Sequence, residues 1–185
     1  RASLRYHGPV RLLLLTARPD LAVNRRFAAA ASALQLELVT IDATTLSAVV
    51  ENGRVAVIGP EGPLPRPDAA LARIGNWRPD SLLAVLEVIV AQGVATPNPP
   101  SAIRIGRDHW ATISALAAAG LPVPPTLAGA DPEALAAAAS RFGLPVVVKQ
   151  RRSRMGVGAI CCANRDHLEA VLDSLWRLGD EVIVQ

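Results

Sequence analysis

The stretch Leu144–Cys162, "LPVVVKQRRSRMGVGAICC", sets Lys149, Arg151, Arg152 and Arg154 between two apolar segments of strand length, with Gly156 and Gly158 immediately after them. Short apolar runs rich in β-branched residues read as buried strands, here Pro145–Lys149 and Ala159–Ala163. The loop therefore joins strand to strand. A P-loop or a Rossmann turn instead delivers its glycines to a helix N-terminus, and the pattern GxxxxGK[ST] occurs nowhere in the chain. Glycines at 156 and 158 let the backbone approach a ligand closely and offer N–H groups to anionic oxygens. Lys149 closes a buried strand, where an ammonium held at a defined point meets a phosphate. Two readings follow from these residues: a flexible cover over a polyphosphate, or a solvated basic hairpin loop whose glycines serve only the turn.

Around this stretch the chain is punctuated clearly. Upstream, Asp131 followed by Pro132 is an N-cap with proline at the first helical position, opening a helix through Phe142 that Gly143 stops. Downstream, Asn164 caps a helix on which Leu168, Val171, Leu172 and Leu175 share one face, and "EVIVQ" is a final strand. Asp108 caps another helix, with Trp110, Ile113 and Ala117 on one face and Gly120 at its end; "GLPVPPT" is then an extended, stiff connector. "TPNPP", Thr96–Pro100, continues neither a helix nor a central strand, and the domain boundary is placed there.

The first half opens as β-α-β: a strand at Val10–Thr16, a helix from Leu21 to about Gln35, and a strand at Leu36–Ile41. No GxGxxG follows the first strand, which argues against dinucleotide binding. Arg54–Ile58, "GPEGPLPRPD" and Ala69–Ile74 read as strand, turn region and strand, and Leu82, Val85, Leu86 and Ile89 line one face of a helix ending near Gly93. Arg73 and Asn76 stand at the end of a strand, where parallel sheets present ligand contacts; on the plainer reading they cap and pack the strand end.

Composition bounds the rest. With 185 residues, 51% of them hydrophobic, the chain is long enough for one large or two small cores. Only 3% are aromatic, so these cores are built from Leu, Val, Ile and Ala. The net charge of +3 is scattered outside the Lys149–Arg154 cluster and is not interleaved with aromatics, which argues against general nucleic-acid binding. The longest apolar run, Ser81–Val94, contains Glu87 and is too short for a bilayer, so a protein without a membrane span is expected. Cys161 and Cys162 are strand neighbours facing opposite sides, which suits a reducing cytoplasm. His7, His109 and His167 show no metal-ligand spacing, and no metal ligands are assigned in the chain. The chain does not start with Met and has no signal-peptide pattern, so a trimmed or recombinant start is expected.

The order "NPPSAIRIGRDHWATISALAAAGLPVPPT", "GLPVVVKQRRSRMGVGAICC" and "DEVIVQ", preceded by "RPDAALARIG" and a long helix, resembles the ATP-grasp superfamily and most closely its RimK-like carboxylate–amine ligases. The resemblance implies an α/β chain: an N-terminal Rossmann-like, pre-ATP-grasp parallel-sheet domain over 1–97 and a small α+β ATP-grasp central subdomain over 98–185. It implies ATP and Mg²⁺ as cofactors. A carboxylate is phosphorylated and the acyl phosphate is captured by an amino acid, such as glutamate, or another amine. By the same resemblance Lys149 contacts ATP phosphate, the loop Arg151, Arg152, Ser153, Arg154, Gly156 and Gly158 covers the phosphates, and Gln185 begins the adenine-binding hinge. Arg73 and Asn76 are the acceptor candidates; a homo-oligomer is left open.

Two departures from the family pattern matter. The usual Asp-Lys pair at the start of the helix after the linker is here Asp108-His109, and a neutral imidazole lacks the fixed charge of an ammonium. Arg104 or Arg107 compensates, or ATP affinity is reduced; the plain alternative makes His109 an exposed first-turn residue. The family's catalytic and Mg²⁺-holding residues belong to a C-terminal domain expected to lie beyond Gln185, so the catalytic residues stay unassigned and the chain alone is expected to be catalytically incomplete. The competing function is a non-catalytic nucleotide-binding or partner-binding module of degenerate ATP-grasp type.

Overall fold

The computed structural model describes residues 10–74, 79–153 and 157–185, which form two compact units divided between Pro100 and Ser101. The first unit is built on β1 (Arg11–Thr16), α1 (Ala22–Ala33), β2 (Glu37–Asp42) and, later in the chain, β6 (Ala69–Arg73). These strands make a parallel sheet in the order β2-β1-β6. Leu13, Leu14 and Leu15 are almost wholly buried, as an uninterrupted apolar run in a central parallel strand requires when both faces are covered. The segment after α2 (Pro79–Ala91) runs beside the free edge of β6. Ala70 donates its N–H to the Ala95 carbonyl, and the Asn98 amide both accepts from the Ala72 N–H and donates to the Ala72 carbonyl. "TPNPP" thus ends the first unit by imitating a strand with a side chain, since its prolines lack the N–H groups a strand would use.

The expected lone strand at Arg54–Ile58 has a partner that the sequence reading omits. β3 (Ser47–Glu51) and β4 (Arg54–Gly59) form a two-residue hairpin, extended by β5 (Gly62–Pro63) into a separate antiparallel sheet. Asn52 and Gly53 at its tip both have positive φ, 51° and 72°, the conformation that an Asn-Gly turn supplies at low cost. Helix α2 buries Leu82, Leu83, Val85, Leu86 and Ile89, and it lies against β3 and β4. A further helix, α3 (Pro100–Gly106), begins at the division and runs into the second unit; Pro100 at its first position suits a helix start.

The second unit contains α4 (His109–Ala118), β7 (Leu127–Ala128), α5 (Pro132–Ala139) with a short 3-10 turn to Phe142, β8 (Val146–Gln150), β9 (Ala159–Cys162), α6 (Arg165–Arg177) and β10 (Val182–Val184). The four strands form an antiparallel sheet in the order β7-β10-β8-β9. One face of it packs on α5 and α6: Val146, Val148, Cys162, Val182 and Val184 meet Leu135, Ala136, Ala139, Leu168 and Leu172. The three expected caps are made by side chains, Asp108 to the Ala111 N–H, Asp131 to Ala134 and Asn164 to His167.

Candidate functional site

The alternation of β8 decides where its lysine goes. Val146 and Val148 are buried in the core, so Val147 and Lys149 project from the opposite sheet face. Val182 and Val184 of β10 likewise face the core, which puts Ile183 opposite Lys149 and carries Gln185 onto the lysine's face. The backbone of Gln185 extends the pairing, donating to the Val147 carbonyl at 2.9 Å and accepting from the Val147 N–H at 2.7 Å. What Gln185 presents is therefore its side chain. Its Oε1 accepts from Lys149 Nζ at 2.5 Å, and its Nε2 donates to Thr126 Oγ1 at 3.0 Å. Thr126 Oγ1 in turn donates to the Pro124 carbonyl at 2.9 Å. Thr126, from the extended connector, was not singled out in the sequence; the one available signal is its place directly before β7, which pairs with β10.

The first two arginines of the loop have other partners. Arg151 Nε lies 2.8 Å from the Asp108 carboxylate and its Nη1 3.5 Å from Glu181, while Arg152 Nε stands 3.7 Å from Asp108. The Arg151 carbonyl accepts the His109 N–H at 2.9 Å, an otherwise orphaned donor of the first turn of α4. His109 Nε2 and Ser153 Oγ are 3.2 Å apart, so the exposed imidazole reaches the loop. Burial opposes ionisation of Asp108, but the Arg151 and Ala111 hydrogen bonds, with the charges of Arg151 and Arg152, outweigh it and hold the carboxyl below its ordinary value of 3.8. The Asp108 hydrogen bond outweighs desolvation at Arg151 and raises its pKa.

Gly158 closes the loop at φ +79°, and a Cβ there would meet Gln150 Oε1 at 2.5 Å. Gln150 is itself held, its Nε2 donating to Asp180 at 2.9 Å. Arg154, Gly156 and Asn76 lie outside the described residues. Arg73 belongs to the first unit, at the end of β6, with its guanidinium carbon 5.4 Å from the centre of the Phe27 ring. The structure thus brings Lys149 together with Gln185, and His109 with Ser153, Arg151 and Arg152 around Asp108.

Chemically, the second unit presents an ammonium, an imidazole, a hydroxyl and a glycine-ended loop, a donor-rich set suited to a polyanion. Gln185 takes one of the three N–H bonds of Lys149, and the neutral amide leaves the charge in place. Among the described residues no group of three or more His, Cys, Asp or Glu is arranged to hold a metal ion. No described helix is long and apolar enough to cross a membrane.

An ATP-grasp fold with a basic glycine loop is the class that this arrangement defines. Residues 10–103 match the RimK PreATP-grasp domain and residues 106–185 the RimK-like ATP-grasp domain, so the chain belongs to the RimK-like ATP-grasp family. It is 28% identical over 123 residues to a probable alpha-L-glutamate ligase of Mannheimia succiniciproducens, covering 66% of this chain and 41% of that protein. A probable alpha-L-glutamate ligase of Marinomonas sp. is 24% identical over 177 residues, covering 95% and 59%. The crystal structure of a RimK domain ATP-grasp protein from Sphaerobacter thermophilus superposes with a TM-score of 0.70 at 25% identity, covering 95% of this chain and 63% of that one. The chain spans about two fifths to three fifths of the length of these two glutamate ligases.

Proposed function

We propose that this chain is the nucleotide-binding part of an ATP-dependent carboxylate–amine ligase that attaches an amino acid. The names of its relatives support glutamate as that amino acid. The observation that carries the reading is Lys149: strand alternation turns it away from the α5–α6 core, and a neutral side chain steadies it without cancelling its charge. In this reading Lys149 meets the phosphates of ATP, Ser153, Arg154, Gly156 and Gly158 cover them, and His109 adds a donor through the loop. Arg151 and, more weakly, Arg152 act behind the phosphates by tying the loop to Asp108. Gln185 borders the adenine end, and Arg73 and Asn76 serve the acceptor carboxylate.

The reaction transfers the terminal phosphoryl group from ATP to a carboxylate oxygen, breaking the bond to ADP as the acyl phosphate forms. The amine nitrogen then attacks the acyl carbon, loses a proton and expels phosphate, leaving an amide. The contribution required of this chain is to neutralise charge on the transferring group and to keep water from the acyl phosphate. Mg²⁺ would screen the phosphate oxygens, with ligands proposed in a C-terminal domain of the complete protein. The two unpaired thiols, Cys161 and Cys162, support action in the reducing cytoplasm.

A second reading, a nucleotide-binding module without catalysis, draws on His109 standing where the family has lysine. The complete protein, incubated with ATP, Mg²⁺, glutamate and an ¹⁸O-labelled carboxylate acceptor, separates the two. ADP formation that needs both co-substrates, with ¹⁸O appearing in phosphate, supports the ligase. ATP binding without turnover supports the module, and absence of ATP binding overturns both.

A further inference from the structure

We infer that Thr126 is a positioning residue for Lys149, acting through the side-chain amide of Gln185. The inference rests on the reading of Lys149 as a phosphate-contacting residue. Three hydrogen bonds in series define the device: Lys149 Nζ to Gln185 Oε1 at 2.5 Å, Gln185 Nε2 to Thr126 Oγ1 at 3.0 Å, and Thr126 Oγ1 to the Pro124 carbonyl at 2.9 Å.

The direction of each bond is dictated by the next. A hydroxyl has one proton, and that of Thr126 goes to the Pro124 carbonyl, which can only accept. The hydroxyl oxygen is thereby turned to accept, and the amide group that can donate to it is the NH₂ of Gln185. With Nε2 committed to Thr126, Oε1 points to Lys149; the flipped amide would set donor against donor at both ends. Thr126 and Gln185 are 59 residues apart in the chain, and Lys149 and Gln185 are 36 apart. Sheet order explains the meeting: β10 lies between β7 and β8, so the residue just before β7, the residue just after β10 and a β8 side chain share one face.

The chemistry of the middle member also has a purpose. All three side chains are partly buried, where an ammonium whip would otherwise sample several rotamers. A carboxylate at 185 would hold Lys149 more tightly but would neutralise it before a phosphate arrived. The amide fixes the position and leaves the full charge and two N–H bonds for the ligand.

The test uses the complete protein and measures its affinity for ATP and for adenosine by titration calorimetry in four variants: Lys149→Ala, Thr126→Val, Thr126→Ser and Gln185→Glu. Lys149→Ala is expected to weaken ATP by on the order of tenfold or more. Thr126→Val is expected to weaken ATP about fivefold with adenosine affinity unchanged, and Thr126→Ser to restore it. Gln185→Glu is expected to weaken ATP although it strengthens the contact to Lys149. A Thr126→Val effect that falls equally on adenosine and ATP, or that Ser fails to rescue, overturns the positioning role. If Lys149→Ala weakens ATP and neither Thr126→Val nor Gln185→Glu does, the relay alone is overturned. If Lys149→Ala leaves ATP affinity unchanged, the phosphate reading of Lys149 falls and the relay with it. Should Thr126→Val fail to fold, Thr126→Ala takes its place: weakened ATP with unchanged adenosine affinity supports the relay, and unchanged ATP affinity overturns it.

Discussion

The Arg151 guanidinium lies 2.8 Å from the carboxylate of Asp108, a residue 43 positions earlier that also caps α4. One buried carboxylate thus satisfies a helix N-terminus and anchors the start of the basic loop. Arg151 is a structural tie between the end of β8 and α4.

Removing that carboxylate should cost more than an ordinary cap. Asp108→Ala takes away the α4 cap and leaves the Arg151 side chain, only 29% exposed, without its main partner. The expected loss is about 2–3 kcal/mol. Asp108→Asn, which still accepts at the cap, should cost about half as much. Urea unfolding at neutral pH measures both.

The same site predicts an acid limb. The folded pKa of Asp108 lies below its unfolded value, so folding favours the ionised form. Its contribution is complete above the ordinary carboxylate range and disappears as pH falls through the lowered folded value. Stability of the unaltered protein should therefore drop more steeply with acidification than that of Asp108→Asn. Equal slopes in the two pH–stability curves would rule out Asp108 as a source of the acid limb.

Gly158 and Gly179 make a matched pair. Both sit at φ +79°, but a Cβ at 158 runs into Gln150 Oε1 at 2.5 Å, whereas one at 179 has nothing within 4 Å. Gly179→Ala should cost about 1 kcal/mol, from backbone conformation alone. Gly158→Ala should cost about 1–2 kcal/mol more, because Gln150 must leave Asp180. Denaturant midpoints compared at unchanged slope give the difference directly.

The adjacent thiols should behave differently. Cys161 is exposed and Cys162 buried, and burial, with the neighbouring Cys161, pushes the Cys162 thiol up. Ellman's reagent at neutral pH should titrate one thiol in the native protein and a second only after unfolding. Two fast thiols in the folded protein would contradict the alternation of β9.

His109 offers a gain-of-affinity test. Its imidazole is exposed and 3.2 Å from Ser153, so a lysine at 109 places a permanent charge beside the loop without displacing core atoms. His109→Lys should tighten ATP binding about three- to tenfold by calorimetry. An unchanged affinity would mean that position 109 does not reach the phosphates.

Much of the fold was legible because its signals are local. Asp108, Asp131 and Asn164 each cap the helix that directly follows, and a cap depends on contacts only three residues away. The apolar run at Leu13–Leu15 declared a central parallel strand by having no polar face to offer water. The hairpin at Asn52–Gly53 is equally local, and the Asn-Gly pair between β-branched runs is its signal. The basic loop and its glycines were visible as residues, and so was the likeness to RimK-like ligases.

The division of labour among those residues was decided by the tertiary structure. Which arginine pairs with Asp108, which face Lys149 takes beside Gln185, and whether Thr126 touches either depend on strand order β7-β10-β8-β9 and its register. A one-residue slip in β10 would turn Gln185 to the core face and leave Lys149 without its amide. Local periodicity assigns a residue to a strand and to one of two faces. Only the pairing of strands distant in sequence brings the hydroxyl, the amide and the ammonium within hydrogen-bond reach.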